Sequence, residues 1–243
     1  MVKRALVIKG GTMRGAFLVG VMKTFHSLLG VSYFDTIFST SVGVFEQAFF
    51  ASNQPYMENT WKEYVHGRQL INFLSPIQGK PILDLDYLVG LFQSDTSRLD
   101  VETMINSHPK LFTVVADYET REPVLMDLKQ GPIFDIMRAT SAVPYLYNRE
   151  VLINNRRYID SLVVPKRKFR NFLKASLVEY EEVPGVSSYS NDKDLREIEK
   201  TVTPSRMPLW GALDINRKRI IETIKQGEVD TIKYINKHKL AKI

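Results

Sequence analysis

The sequence predicts an α/β fold, a mostly parallel sheet with helices packed on its faces. Three observations carry this. Residues 4–9, RALVIK, form a short apolar run of the kind buried on both faces of a sheet, and GGTMRG follows at once. The next stretch, AFLVGVMKTFHSLLG, repeats Phe17, Val21, Met22, Phe25 and Leu29 at helical spacing, with Gly30 as a natural stop. Then FDTIFS is strand-like and VGVFEQAFFAS helix-like, so the chain opens β-α-β-α.

Residues 55–108 read as mainly helical, with breaks at Pro76, Gly79 and Pro81. PYMENTWKEYVHG, LDLDYLVGLFQ and DVETMINS are the expected helices, and residues 50–108 are the best place for a lid. KLFTVVADYETREPVLMDL predicts a hairpin, IFDIMRATSAV a short helix, and EVLINNRRYID a second hairpin turning at Asn154-Asn155. After Asp160 the pattern weakens. No clear apolar strand follows, and an exposed loop is expected near 184–194. NRKRIIETIKQGEVDTIKYINKHKLAKI reads as two amphipathic helices separated near Gly227. No internal repeat or linker is visible, so residues 1–243 are read as one domain with a core over 3–165 and a helical region over 206–243.

Composition narrows the function. The formal net charge is +6, a mild basic excess that permits anionic partners without requiring them. There is no cysteine, which excludes disulfides, thiolate zinc sites and a cysteine nucleophile. The first apolar stretch is too short for a signal peptide, and Ala16 to Val21 is far short of a membrane span. The expectation is a cytoplasmic protein whose membrane contact is peripheral. The basic clusters KRKFR and KYINKHKLAK lack an aromatic stacking platform, so nucleic acid ranks well below an anionic membrane surface as their partner.

Three constellations carry chemistry. Ser41 stands where a predicted strand meets a predicted helix, the setting of a nucleophile elbow. Such a corner needs small residues two before and two after, positions held by Ser39 and Gly43. The competing reading makes Ser41 or Thr40 a helix N-cap, a frequent role for both types. The turn Gly10, Gly11, Thr12, Met13, Arg14, Gly15 offers backbone amides at a strand end, suited to a phosphate or an oxyanion, or to no ligand at all. It matches neither the dinucleotide fingerprint nor a P-loop. Asp160 ends RRYID, where a carboxylate can deprotonate a hydroxyl or simply make a turn. The four histidines, His26, His66, His108 and His238, all lie in unpromising settings, so a Ser-Asp pair is the simpler proposal for a serine nucleophile.

Together ALVIKGGTMRGAFLVGVMKTF, FDTIFSTSVGV, FTVVADYETREPVLMD, RATSAVPYLY and RRYIDSLVVP resemble bacterial patatin-like phospholipases in order and rough spacing. The resemblance implies a three-layer α/β/α sandwich and hydrolysis of lipid acyl esters, phospholipid or lysophospholipid, through an acyl-enzyme. It implies Ser41 as nucleophile, Asp160 as base, and Gly10 to Gly15 as oxyanion hole with Arg14 holding the turn. It implies no metal or organic cofactor. Three motif glycines are replaced: Ser39 in the elbow, Thr12 in the turn, and Ser161-Leu162 where Asp-Gly-Gly/Ala is usual. Thr12 conflicts with any need for positive φ, and Ser161-Leu162 threatens the placement of Asp160. The alternative function is therefore a catalytically weak or inactive patatin-like module binding lipid or a protein partner. Which ester is cut and the oligomeric state are not written in the sequence.

Overall fold

The computed structural model describes residues 2–240 apart from 55, 56, 191, 196, 197 and 199. Among them, eight strands form one sheet: β1 (Ala5–Lys9), β2 (Thr36–Thr40), β3 (Lys110–Asp117), β4 (Pro123–Asp127), β5 (Val151–Ile153), β6 (Arg156–Asp160), β7 (Pro184–Ser187) and β8 (Lys200–Val202). The helices are α1 (Gly15–Leu28), α2 (Gly43–Ala51), α3 (Met57–Glu63), α4 (Leu85–Gln93), α5 (Val101–Asn106), α6 (Ile133–Ser141), α7 (Lys166–Ser176) and α8 (Arg217–His238). The hydrogen-bonded order is β5-β6-β3-β2-β1-β7-β8, with β4 also on β3. Strands β1, β2, β3, β7 and β8 run parallel, and β4, β5 and β6 pair antiparallel.

The period of two in β1 divides the interior. Leu6 and Ile8 face a large core built with α1, α2, α4, α6 and α8, whereas Ala5 and Val7 face a smaller one closed by Phe169 and Leu173 of α7. The sheet is thus covered on both faces, as a mostly parallel sheet requires. This is the expected α/β fold with flanking helices.

Three local expectations need correction or limit. The segment near 184–194 is not wholly an exposed loop. Its first four residues, PGVS, are the buried strand β7 between β1 and β8. The missing apolar strand is therefore present, but Pro and Gly hide it. The C-terminal pair of helices is one continuous helix, α8. Gly227 does not break it, because α8 crosses α1 there at backbone contact: a Cβ on Gly227 would lie 2.2 Å from the Phe17 carbonyl oxygen. Gly20 answers from α1, its Cβ position 2.0 Å from Ile224 O. The helix expected to start at Pro55 is described from Met57, and its first two expected residues lie outside the described ones.

Both hairpins form as expected. The second turns at Asn154 and Asn155, at φ +51° and +59°, the left-handed pair that a two-residue hairpin turn demands.

This packing sets two expected outcomes. Gly227→Ala forces α8 off α1 and lowers unfolding free energy by about 1–3 kcal/mol, read from urea denaturation; an unchanged midpoint contradicts the close crossing. The second concerns Glu46, buried in α2 and accepting from Trp61 Nε1 at 3.0 Å. Burial pushes its pKa up to about 8, against the pull of the Trp61 bond. The native state therefore keeps a proton that the unfolded chain releases at ordinary carboxylate pH. The contribution of Glu46 to stability thus falls as pH rises toward 8 and levels off above it. Glu46→Gln stays neutral throughout, so its melting temperature should exceed that of the wild type increasingly from pH 5 to 9. Parallel pH profiles would refute the protonated glutamate.

Candidate active site

Strand β3 builds the site by sharing one edge. Its residues 112–114 pair with both β2 and β4, so those two strands lie on opposite edges. Val115 and Ala116 pair with both β4 and β6, so β6 lies on the same edge as β2. The β2 ladder ends at Thr40 opposite Val114, and β6 takes over with Asp160 opposite Val115. Asp160 thus occupies the next register position, where Ser41 leaves the sheet.

Ser41 turns that corner at φ +51°, a left-handed conformation costing roughly 1–2 kcal/mol for a residue with a Cβ. Its N–H donates to Thr140 Oγ1 at 3.0 Å. Thr140 in turn donates to Val114 O, so α6 fixes the corner to β3. A Cβ on Gly43 would stand 3.0 Å from Ile8 O, which explains the small residue two after Ser41. Ser39, two before, fits without strain: it is buried, donates to Gln47 Oε1, and Gln47 Nε2 returns to Ile37 O at 2.8 Å. The N-cap reading fails here. Val42 is the N-cap of α2, and no side chain caps that end.

Asp160 is 2 % exposed. Its N–H donates to Ala142 O at 3.2 Å and its Oδ1 accepts from Leu162 N–H at 2.8 Å. Ser161-Leu162 therefore hold the carboxylate through the turn they form. Burial pushes its pKa up to about 6, while the Leu162 amide, the Ser41 hydroxyl and the Lys9 ammonium pull the other way. Oδ2 is buried and makes no hydrogen bond of full geometry among the described residues.

Most amides of the Gly-rich turn are already bonded. Gly10 donates to Thr40 O, Met13 to Ala212 O and Arg14 to Gly11 O, and the Gly15 N–H is taken up within the turn. Among the described residues only the amides of Gly11 and Thr12 are left free of a hydrogen bond within this turn. Gly10 has no room for a Cβ, which would meet Thr40 O at 2.6 Å. Thr12 does sit at positive φ, +52°, the conformation a β-branched residue least favours. Arg14 stacks its guanidinium on Tyr189 at 4.8 Å and so ties the turn to the loop after β7.

Sequence reasoning missed Thr140, Ala142 and Lys9. Thr140 and Ala142 lie in the quoted RATSAVP stretch, and Lys9, like Asp160, is a charge at the end of an apolar strand. Lys9 Nζ bonds Asp192 Oδ1 at 2.9 Å and pairs also with Asp194, both on the loop after β7.

Two cavities meet at Thr12, Ser41 and Val143. One is an open cleft of about 390 Å³ with Lys9, Asp160, Lys166, Asp192 and Lys193 in its wall. The other is a narrow slot of about 30 Å³, walled by Phe45, Trp61, Leu70, Leu83 and Leu88. Ser41 stands between them; the cleft has room for a polar group, while the slot as it stands admits little more than a water-sized group. None of the four histidines lines either cavity. Among the described residues, no cluster of His, Asp and Glu could hold a metal ion, and no helix is long and apolar enough to cross a membrane.

The model of the family Patatin-like phospholipase matches residues 6–167. YjjU of Escherichia coli (strain K12), described as an uncharacterized protein, is 29% identical over 195 residues, covering 76% of this chain and 54% of that protein. The chain thus spans about half the length of the curated relative it matches. VipD from Legionella pneumophila superposes with a TM-score of 0.51 at 11% identity, over 98% of this chain and 67% of VipD. The type III effector protein ExoU superposes with a TM-score of 0.54 at 9% identity, over 99% of this chain and 54% of ExoU. At such identities these two likenesses concern the fold. A match across the whole strand-turn-helix region that carries Gly10, Ser41 and Asp160 concerns descent, and on it the chain belongs to the patatin-like phospholipase family.

Proposed function

We propose that this chain is a serine acyl hydrolase that cleaves lipid acyl esters, phospholipid or lysophospholipid, with Ser41 as nucleophile and Asp160 as base. The observation that carries the reading is the register of β6, which brings a buried carboxylate of raised pKa to a serine on a left-handed corner. Membership of a family of lipid hydrolases supports the class of reaction.

In this reading Ser41 Oγ attacks the ester carbonyl carbon while its proton passes to Asp160. The carbonyl oxygen becomes an oxyanion facing the free amides of Gly11 and Thr12. Collapse breaks the bond to the alcohol, which leaves with the proton from Asp160. Water then attacks the acyl-Ser41 ester, giving its proton to Asp160. The fatty acid departs and Ser41 recovers its proton. The polar part of the lipid lies in the cleft beside Lys9 and Lys166, and the acyl chain starts at the mouth of the apolar slot, which must open to take more than its first carbon. Any contact with an anionic membrane is peripheral. No metal or organic cofactor takes part in this scheme.

One observation favours a second reading, a weak or inactive module that holds lipid or a protein partner: Thr12 is strained in the turn that must bind the oxyanion.

A fluorophosphonate probe separates the two. The hydrolase carries the adduct on Ser41 by peptide mapping, loses it in Ser41→Ala, and labels at least ~100-fold more slowly in Asp160→Asn. Release of fatty acid from phospholipid or lysophospholipid accompanies labelling. A folded wild-type chain that takes no adduct on Ser41 leaves the module as the surviving reading.

A further inference from the structure

Residues 71–83 form a finger whose root is closed and whose tip is apolar. Ile71 and Leu83 pair antiparallel at the root, Asn72 N–H donates to Ile82 O at 2.8 Å, and Asp84 N–H donates to Leu70 O at 2.8 Å. The tip is a 3-10 turn, Ser75–Gln78, entered through Pro76 and ended by Gly79 at φ +69°. Lys80 N–H returns to Ser75 O at 3.1 Å, and Leu74 N–H donates to the Asn72 side chain at 3.0 Å. These bonds shape the tip without help from its apolar side chains, which face outward: Phe73 is 59 %, Leu74 58 % and Ile77 84 % exposed. A single exposed apolar residue is ordinary, but three on one hydrogen-bonded tip mark an interaction surface.

The root of the finger belongs to the site. Leu70 and Leu83 wall the apolar slot that starts at Ser41. Leu83 N–H donates to Leu146 O at 2.8 Å, one residue beyond Tyr145, which is 94 % exposed. The segment that carries the finger has charge of one sign along the chain. From Tyr64 to Leu83 the chain carries no Asp or Glu, while Arg68 and Lys80 are exposed. Neither makes an ion pair among the described residues.

We propose that the finger 71–83 is a lipid-docking element, whose tip enters the interfacial layer of an anionic membrane with Lys80 at headgroup level. Size favours a membrane over a protein partner. A stable protein interface takes roughly 800 Å² from each side, more than three side chains on one turn supply, whereas interfacial insertion needs only a shallow apolar tip beside basic residues. A finger seated in lipid puts the root of the slot at the membrane, so an acyl chain meets apolar wall from the surface inward. Only this purpose rests on the hydrolase reading; the docking does not.

The test is flotation with vesicles of phosphatidylglycerol and phosphatidylcholine in equal parts. It uses wild type, Ser41→Ala, and the triple variant Phe73→Ser/Leu74→Ser/Ile77→Ser, with melting temperatures confirming that each is folded. Wild type and Ser41→Ala should bind alike, and the triple variant about tenfold or more weakly. The indole of a reporter variant, Ile77→Trp, should blue-shift on binding and be quenched by brominated acyl chains. Docking by a chain that takes no phosphonate label would sustain the finger and remove the hydrolase. The proposal is overturned if wild type stays off the vesicles, if the triple variant binds as tightly as wild type, or if the Ile77→Trp reporter remains unquenched.

Discussion

One edge of β3 receives two strands, and the corner at Ser41 depends on that sharing. Val114 ends the ladder with β2 and Val115 begins the ladder with β6, so Ser41 and Asp160 arrive at adjoining positions from distant parts of the chain. The end of α6 clamps both arrivals: Thr140 takes the Ser41 amide, and Ala142 takes the Asp160 amide. Position is therefore set by backbone pairing and two short contacts.

The site stores strain and a buried carboxylate. Ser41 and Thr12 both hold positive φ without being glycine. Asp160 is buried deeply enough to raise its pKa to about 6, yet Lys9 stands near enough to lower it. Lys9 is itself shared with Asp192 and Asp194 on the loop after β7, and Ser187 donates to Asp192 at 2.6 Å. The basicity of Asp160 thus couples to the seating of that loop. Arg14, stacked on Tyr189, ties the same loop to the Gly-rich turn. The loop after β7 thus meets both Lys9 and Arg14.

Much of this was legible in the residues. Apolar runs of strand and helix length, each ending in small residues, located β1, α1, β2 and α2, and the corner at Ser41 followed. Asn154-Asn155 announced its hairpin. Other features were hidden for physical reasons. Strand β7 is PGVS, with little β-forming character; it is a strand because β1 and β8 both need a neighbour. Gly227 looked like a stop because helix propensity is local, whereas its cause is α1 on the other side of the contact. The glycine turn showed six residues as candidates, but only the hydrogen bonds of the folded chain left Gly11 and Thr12 with free amides. Lys9 and Thr140 act through long-range contacts that no spacing reveals.

The most direct measurement is the pH dependence of the rate at which Ser41 takes a phosphonate. Asp160 accepts a proton only when ionised, so the rate should rise through pH about 6 to a plateau. In Lys9→Met the lost ammonium and the freed carboxylates of Asp192 and Asp194 both disfavour a charged Asp160, so the same limb should move to higher pH. A rate that is flat across this range, or a limb unmoved by Lys9→Met, would contradict Asp160 as the buried base of Ser41.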